Sequence, residues 1–370
     1  MDLVVVDVAD LADPRSPIAQ DAVSKALGPH GLGALAVRGV DGYIEARKRL
    51  LPLARTFGKL DVDVQRQFEV PERHYQFGWS HGKETLEDGS PDLRKGSFYA
   101  NPFHVPLDSR TAGATRTDDN EADANLSSAH NVWPTREIPE LEPAMEHLCE
   151  LMRATANLVA QTCDAYLELQ GVSILQQPLA RVTVEPTAAK GRLLYYYPET
   201  PGEASRKDSG ATGNWCGWHS DHGSITCLTK AMYFDEEAPG DVAREVRPQQ
   251  DDLRIRTRSG REVVVQIPED CIAFQVGQAA QIESGCWLGA TPHCVTLTSK
   301  MHLSRCTFAL FLQPAARDVL QSPHPRAPGV PLPIQYAEGM TFGEFTAATL
   351  NMIYASRDST TEKVKQDAKL

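Results

Sequence analysis

No two of the eight cysteines stand in a Cys-x-x-Cys pair; they are scattered at positions 149, 163, 216, 227, 271, 286, 294 and 306. Zinc ribbons and disulfide scaffolds need clustered cysteines, so neither is expected, and the scatter fits a reducing compartment. There is no basic cluster, and the formal net charge is −12. That balance sets nucleic acid and anionic membranes aside as partners. No apolar run approaches the roughly 18 residues of a membrane-spanning helix. Met1-Asp2-Leu3 opens on an acid, without the basic and apolar segments of a signal peptide. Repeats and a second domain are not visible either, so the 370 residues are expected to form one soluble unit around a large core.

What the chain does carry is Trp218-His219-Ser220-Asp221-His222-Gly223-Ser224, with a distant partner in Thr291-Pro292-His293. Residues i and i+2 of a strand share a face, so an imidazole and a carboxylate, His219 and Asp221, can reach one metal ion from a single strand. His293, on a second strand-like run, would complete a face of two histidines and one carboxylate. Such a face leaves about three of six coordination positions open and is the usual holder of Fe(II) in non-haem oxygenases. Cys216 and Cys294 flank these residues and Cys306 flanks Arg305, but free cysteine is readily buried and each reads as a small strand hydrophobe.

Arg305 follows inside the apolar strand Ser304-Arg305-Cys306-Thr307-Phe308-Ala309-Leu310-Phe311. A core-facing arginine is costly unless it meets an anion, because it cannot shed its charge. Its planar fork suits a carboxylate held bidentately, and Thr307, two residues on, faces the same way with a hydroxyl donor. Upstream, Arg192-Leu193-Leu194-Tyr195-Tyr196-Tyr197-Pro198 makes an aromatic strand with Tyr195 and Tyr197 on one face.

The order Tyr-Tyr-Pro, His-x-Asp, distal His, Arg-x-Thr resembles the iron/2-oxoglutarate-dependent dioxygenases of the isopenicillin N synthase-like superfamily. Phe274 through Ile282 with Ser284-Gly285 is similar to that family's strand and turn before the distal histidine. Val4-Val5-Val6-Asp7-Val8, a helix, and Gly31 through Val37 are similar to its opening strand-helix-strand. The resemblance covers nearly the whole chain. Departures are Tyr195 where many members have Asn, Gln278 where many have Asp, Cys294 where Arg is frequent, and Thr307 for the commoner Ser. None removes a metal ligand.

The resemblance implies a mainly β fold with flanking helices around a double-stranded β-helix (jelly-roll) core. A single oxygenase domain spans 1–370, with an N-terminal α/β region over 1–180, the metal-bearing core over 181–315 and a C-terminal helix and tail over 316–370. Ser16 with Pro17 begins a helix to about Ala26. Asp41 reads as the N-cap of a helix to about Phe57, which Pro52 kinks or splits. Leu141, Met145, Leu148, Met152, Ala156 and Val159 recur at three- and four-residue steps within 134–171 and predict one long amphipathic helix. The charged, proline-bearing stretch over 235–252 reads as a solvated insertion. Leu253–Thr257, Ser259-Gly260 and Val263–Val265 read as a hairpin. Thr341 and Glu344 have capping-box form, opening a helix to about Tyr354, and the tail after Arg357 reads as frayed.

Carried onto this chain, the resemblance implies Fe(II) on His219, Asp221 and His293, with 2-oxoglutarate and O2 as cosubstrates and ascorbate as a further candidate. Arg305, Thr307 and Tyr197 would hold the far carboxylate of 2-oxoglutarate. Oxidative decarboxylation to succinate and CO2 would then drive oxidation of a small organic substrate. Phe98, Phe274 and Phe311 are candidate pocket walls or else core, and His81 and His104 read as surface-loop histidines, with substrate contact as the alternative. Two other readings stay open: a 2-oxoglutarate-independent iron oxidase of the isopenicillin N synthase type, in which Arg305 holds a substrate carboxylate, and a non-catalytic binding protein. The oligomeric state is undetermined. The expected location is cytoplasmic, with the terminal Ala368-Lys369-Leu370, one conservative step from Ser-Lys-Leu, keeping the peroxisome as the alternative.

Overall fold

In the computed structural model, which describes residues 2–84, 91–103, 130–173, 178–184, 186, 188–198, 214–237, 244–246, 253–296 and 302–352, hydrophobic alternation becomes two sheets with a cavity between them. The chain opens with β1 (Val4–Asp7), α1 (Pro17–Ala26), β2 (Ala34–Arg38), α2 (Tyr43–Gly58), α3 (Val62–Arg66), β3 (Gly78–His81) and β4 (Lys95–Ala100). The long helix α4 (Leu141–Leu169) and the short α5 (Arg181–Val184) lead to β5 (Lys190–Tyr196), β6 (Asn214–His219), β7 (Ile225–Thr229), β8 (Met232–Asp235) and β9 (Arg244–Val246). Then come β10 (Leu253–Arg256), β11 (Glu262–Val264), β12 (Cys271–Val276), α6 (Gln278–Glu283), β13 (His293–Thr296) and β14 (Leu303–Leu312). Residues 342–352 form α7.

Ten strands make the large sheet in the order β1-β2-β12-β7-β14-β5-β4-β3, with β8 added to β14 and β9 to β8; β11-β10-β13-β6 make the small one. Among the described ladders β1 and β2 pair in parallel, and the others are antiparallel. The outer face of the large sheet is covered by helices. Along α4 the stripe Leu141, Met145, Leu148, Met152, Ala156 and Val159 is at most 1% exposed, in one core with Leu50 and Leu51 of α2 and Cys306, Phe308, Leu310 and Leu312 of β14. Each large apolar side chain so buried contributes about 1.5–3 kcal/mol before the entropy of ordering it is subtracted. No helix among the described residues is long and apolar enough to cross a membrane.

Local chemistry sets several element ends where the sequence puts them. Ser16 Oγ accepts from Ala19 N at 3.2 Å, with Pro17 at the first helical position. Thr341 and Glu344 close a reciprocal capping box: Thr341 N donates to Glu344 Oε2 at 2.7 Å, and Glu344 N to Thr341 Oγ1 at 3.2 Å. The hairpin of β10 and β11 pairs Arg254 with Val264 and turns through Gly260, whose φ of +82° favours a residue without Cβ.

Two expectations are corrected. The N-cap of α2 is Gly42, at φ +76°, instead of Asp41, and α2 runs unbroken through Pro52. The one long helix expected within 134–171, by contrast, is found as Leu141–Leu169. The stretch expected as a solvated insertion is strand where β9 pairs with β8, and Glu236 within it is only 10% exposed. Its carboxylate takes both Arg55 Nε and Nη2 at 2.8 Å, a short contact from Lys59, Ser304 Oγ at 2.5 Å and Tyr195 Oη at 3.3 Å. Residues 238–243, 247–252 and the tail after 352 lie outside the described residues.

Candidate metal centre and carboxylate pocket

His219 is the last residue of β6 and His293 the first of β13, and the two are register partners across the small sheet. Their ring centroids are 4.3 Å apart. Asp221 lies just past the end of β6, so the carboxylate comes from a loop and not from the strand itself. Its Oδ1 is nonetheless 3.7 Å from His219 Nε2 and 3.8 Å from His293 Nε2. One ligand atom from each residue lies within 4.8 Å of the others, and this is the one such cluster of histidine, cysteine and acidic groups found among the described residues. The donor set is two imidazoles and one carboxylate, which fits the non-haem Fe(II) face.

Backbone and hydroxyl donors hold the Asp221 loop in place. Thr226 Oγ1 donates to Asp221 Oδ2 at 2.6 Å, and Gln278 N, in the first turn of α6, donates to the Asp221 carbonyl at 2.8 Å. Gly277 N reaches the Ser224 carbonyl at 2.9 Å. A Cβ on Gly277 would sit 2.0 Å from the Gly223 carbonyl oxygen, so this close approach requires glycine.

The second nitrogen of each histidine is also engaged. His219 Nδ1 donates to the Gly217 carbonyl at 2.8 Å, so Nε2 is the nitrogen turned toward Asp221. His293 Nδ1 lies 2.6 Å from the Gln275 side-chain amide. Burial pushes the Asp221 carboxyl up, but the His293 and His219 rings and the Thr226 hydroxyl outweigh it and hold it below the ordinary carboxylate range. Burial and the neighbouring His219 pull His293 down to about 4 against the opposing pull of Asp221. At neutral pH the cluster therefore offers a neutral His293 and an anionic Asp221, as a divalent cation requires.

A cavity of about 100 Å³ begins at this cluster and runs between the sheets. Strand alternation selects its wall. From β14 the odd-numbered Arg305, Thr307, Ala309 and Phe311 face in, and from β5 the even-numbered Arg192, Leu194 and Tyr196. Arg305 is 7% exposed, and its guanidinium lies 4.8 Å over the Tyr196 ring. Thr307 Oγ1 is 3.4 Å from Thr229 Oγ1. Three of the lining residues are basic, Arg192, Lys230 and Arg305, and one is a carboxylate, Asp221. The remaining wall is largely apolar, with Leu228, Val265, Ile267 and Val295. Arg47 of α2, 1% exposed, fixes one end of it by donating from Nε to the Lys230 carbonyl at 2.8 Å and from Nη2 to the Ala231 carbonyl at 3.2 Å.

His219, Asp221, His293, Arg305, Thr307 and Phe311 thus meet at one cavity, and other expected residues do not. Tyr197 shares a face with Tyr195, but that face is turned toward α2: its phenol donates to the Gly58 carbonyl at 3.1 Å and is pushed up to about 12 by burial. Tyr196 takes the cavity position. Phe98 packs against Phe57 and Trp133, and Phe274 belongs to the helix-side core, since the inward residues of β12 are its odd-numbered ones. His81 is bonded to the Leu93 carbonyl at 2.9 Å and stacks on Tyr197, and His104 lies outside the described residues. Cys294 and Cys306 are fully buried and supply no ligand atom to the cluster. Gln275, Thr226, Arg192, Lys230 and Arg47 were not singled out by sequence. Only the period-2 alternation of β5, once paired with β14, would have picked out Arg192.

No protein-family profile matches the chain, and no curated protein matches it in sequence. Its fold, however, is that of 2-oxoglutarate–Fe(II) oxygenases. It is similar to a full-length Neurospora crassa protein solved in complex with alpha-ketoglutarate, at a TM-score of 0.63 and 17% identity, over 94% of this chain and 96% of that one. The same Neurospora protein has also been solved with alpha-ketoglutarate and thymine. A 2OG-Fe(II) oxygenase family protein from Caulobacter crescentus matches with TM-score 0.63 and 19% identity, over 95% of this chain and 99% of that one. The rice dioxygenase for auxin oxidation matches with TM-score 0.57 and 18% identity, over 95% and 96%.

Proposed function

We propose that the chain is an Fe(II)- and 2-oxoglutarate-dependent dioxygenase that hydroxylates a small organic substrate, releasing succinate and CO2. The observation that carries this reading is that one cavity joins the His219–Asp221–His293 cluster to the buried Arg305–Thr307 pair. We read the two sheets as the halves of a double-stranded β-helix, within a single oxygenase domain.

His219 Nε2, His293 Nε2 and an Asp221 oxygen would hold the metal. When bound with 2-oxoglutarate, iron would supply activation of O2 coupled to decarboxylation of the cosubstrate. Arg305 presents a planar fork to the distal carboxylate of 2-oxoglutarate, and Thr307 adds a hydroxyl on the same wall. With Arg192 already paired to Glu84, Arg305 and Lys230 are the cations of the cavity wall that favour an anionic guest. Leu194, Leu228, Val265, Ile267 and Val295 exclude water from that guest, which strengthens the ion pair and protects the reacting centre. The shared fold with a protein that holds alpha-ketoglutarate, in one complex together with thymine, supports a small-molecule substrate.

The test is anaerobic. Fe(II) followed by 2-oxoglutarate should give a weak visible charge-transfer band that is absent in His219→Ala and weakened in Arg305→Ala, with succinate released on admitting O2. Iron binding without the band favours the oxidase reading, in which Arg305 serves the substrate. Absence of iron binding removes the enzyme reading altogether.

A further inference from the structure

The inward row of β5 does not stop at Arg192. Two residues earlier stands Lys190, which shares that face by strand alternation. Its register partner on β14 is Phe311, whose own partner on β7 is Thr226, the residue that bonds Asp221. Two strand spacings of about 4.8 Å place Lys190 roughly 10 Å across the sheet from the metal loop.

The surrounding wall is built of ion pairs, and Lys190 differs from the rest of it. On β4, Lys95 and Tyr99 lie opposite Tyr196 and Arg192 and so share the inward face. Glu84 Oε1 is 2.6 Å from Arg192 Nη2, and Glu84 Oε2 is 2.9 Å from Lys95 Nζ, which also meets Asp92 Oδ2 at 3.2 Å. The Tyr99 phenol donates to Glu84 at 3.3 Å. Arg192 and Lys95 are thereby matched by Glu84 and Asp92. Lys190 Nζ instead donates to the neutral Gln76 Oε1 at 3.3 Å and lies 4.7 Å over the Tyr99 ring. No carboxylate lies within ion-pairing distance of it among the described residues. Burial, and then the nearby Arg192, pull the ammonium down to about 7 against the pull of Glu84. A half-buried lysine with no carboxylate beside it would gain from an incoming anion.

We propose that Lys190 receives a carboxylate of the substrate, so that the enzyme acts on a small organic acid whose C–H bonds then lie toward the His219–Asp221–His293 cluster. One unmatched cation suits a monoanion; a phosphate dianion would leave a negative charge over among groups that Glu84 and Asp92 have already balanced. The proposal rests on the oxygenase reading above.

The experiment uses the iron-loaded full chain at saturating 2-oxoglutarate and a panel of small carboxylic acids, each with its primary amide and the corresponding phosphate monoester. Succinate release and the perturbation of the charge-transfer band on binding are both recorded. The expected result is that acids bind and stimulate turnover and their amides do not. Lys190→Met should raise the half-saturating acid concentration by about 30-fold or more, the usual scale for removing one partner of a hydrogen-bonded charge pair. Lys190→Arg should recover most of that loss, which it would not do if the Met variant had merely misfolded. Equal response to acids and amides, preference for phosphate esters, no response to any acid, or an unchanged half-saturation in Lys190→Met overturns the proposal. These results leave the charge-transfer band of the wild type intact, whereas failure of the oxygenase reading abolishes the band before any acid is added.

Discussion

The imidazole of His293 reaches the side-chain amide of Gln275 across 2.6 Å, through Nδ1 on one side and Nε2 on the other, while Gln275 Oε1 is buried without a hydrogen-bond partner. A metal on His293 Nε2 requires the ring proton on Nδ1, and a protonated Nδ1 needs an acceptor. The Thr291 carbonyl lies 3.4 Å away, and Gln275, much nearer, supplies the stronger acceptor when its amide presents the oxygen, an exchange of two isosteric atoms. Gln275 then fixes the tautomer and ring orientation of a metal ligand. Gln275→Leu is expected to weaken Fe(II) binding by about 10- to 100-fold, and Gln275→Glu to retain it. Anaerobic titration with Fe(II) measures both, and wild-type affinity in the Leu variant would rule the role out.

Arg305 and Tyr197 provide a matched pair of tests for the carboxylate pocket. Arg305→Ala removes the buried fork, so the half-saturating 2-oxoglutarate concentration should rise by about 100-fold or more, in line with about 3 kcal/mol for a buried charged hydrogen-bonded pair. Arg305→Lys should recover little of this, because a point charge does not reproduce two parallel N–H donors. Thr307→Ala should cost about 5-fold, one neutral donor. Tyr197→Phe should leave 2-oxoglutarate affinity unchanged, since its phenol bonds the Gly58 carbonyl on the opposite face of the sheet. A large effect of Tyr197→Phe on that affinity, with a small one for Arg305→Ala, would contradict the placement.

The metal cluster was legible in the sequence because its order, His-x-Asp, distal His, Arg-x-Thr, survives without knowledge of register. What alternation alone could not supply was which parity of β5 faces inward. That is fixed by the pairing of Tyr196 with Arg305, a contact between residues far apart in sequence. Phe98 and Phe274 went to the core for a related reason. Both faces of these strands are buried, so a large aromatic carries no sign of which side it packs on. Glu236 was hidden differently. Within Asp235-Glu236-Glu237-Ala238-Pro239-Gly240 it has the composition of a solvated turn, and its partners Arg55 and Lys59 come from α2 and its C-cap near the start of the chain. Gln275 had no signal, since an amide acquires a role only from the ring it faces.

Gly277 joins β12 to α6 with an ordinary negative φ of −96°, so its requirement is space and not backbone conformation. Gly277→Ala would force the Gly223 carbonyl away and break the hydrogen bonds from Gly277 N and Gln278 N that clamp the Asp221 loop. The expected cost is about 1–3 kcal/mol, the usual scale of overpacking. Iron affinity should fall along with thermal stability, because the displaced carbonyl lies two residues from the ligand. A variant that is destabilised but binds iron normally would show that the loop relaxes without moving Asp221.

Glu236 ties α2 to the large sheet. Burial raises its carboxyl, but Arg55, Lys59 and Ser304 outweigh that effect and bring it down to about 2 from an ordinary value of 4.5. A carboxyl that is more acidic in the folded chain stabilises the fold above its unfolded pKa. That contribution is fully present above pH 4.5 and is lost as pH falls from there toward 2. Glu236→Ala leaves Arg55 facing Tyr195 and Ser304 without its carboxylate, and should lower stability at neutral pH by about 3 kcal/mol, the low end for breaking a buried pair. Arg55→Ala alone should cost less, because Lys59 and Ser304 still hold the carboxylate. Thermal denaturation of the wild type and of both variants between pH 7 and pH 3 checks this. The gap between wild type and Glu236→Ala should narrow as the pH is lowered, and a gap that stays constant would mean the network contributes by packing instead of charge.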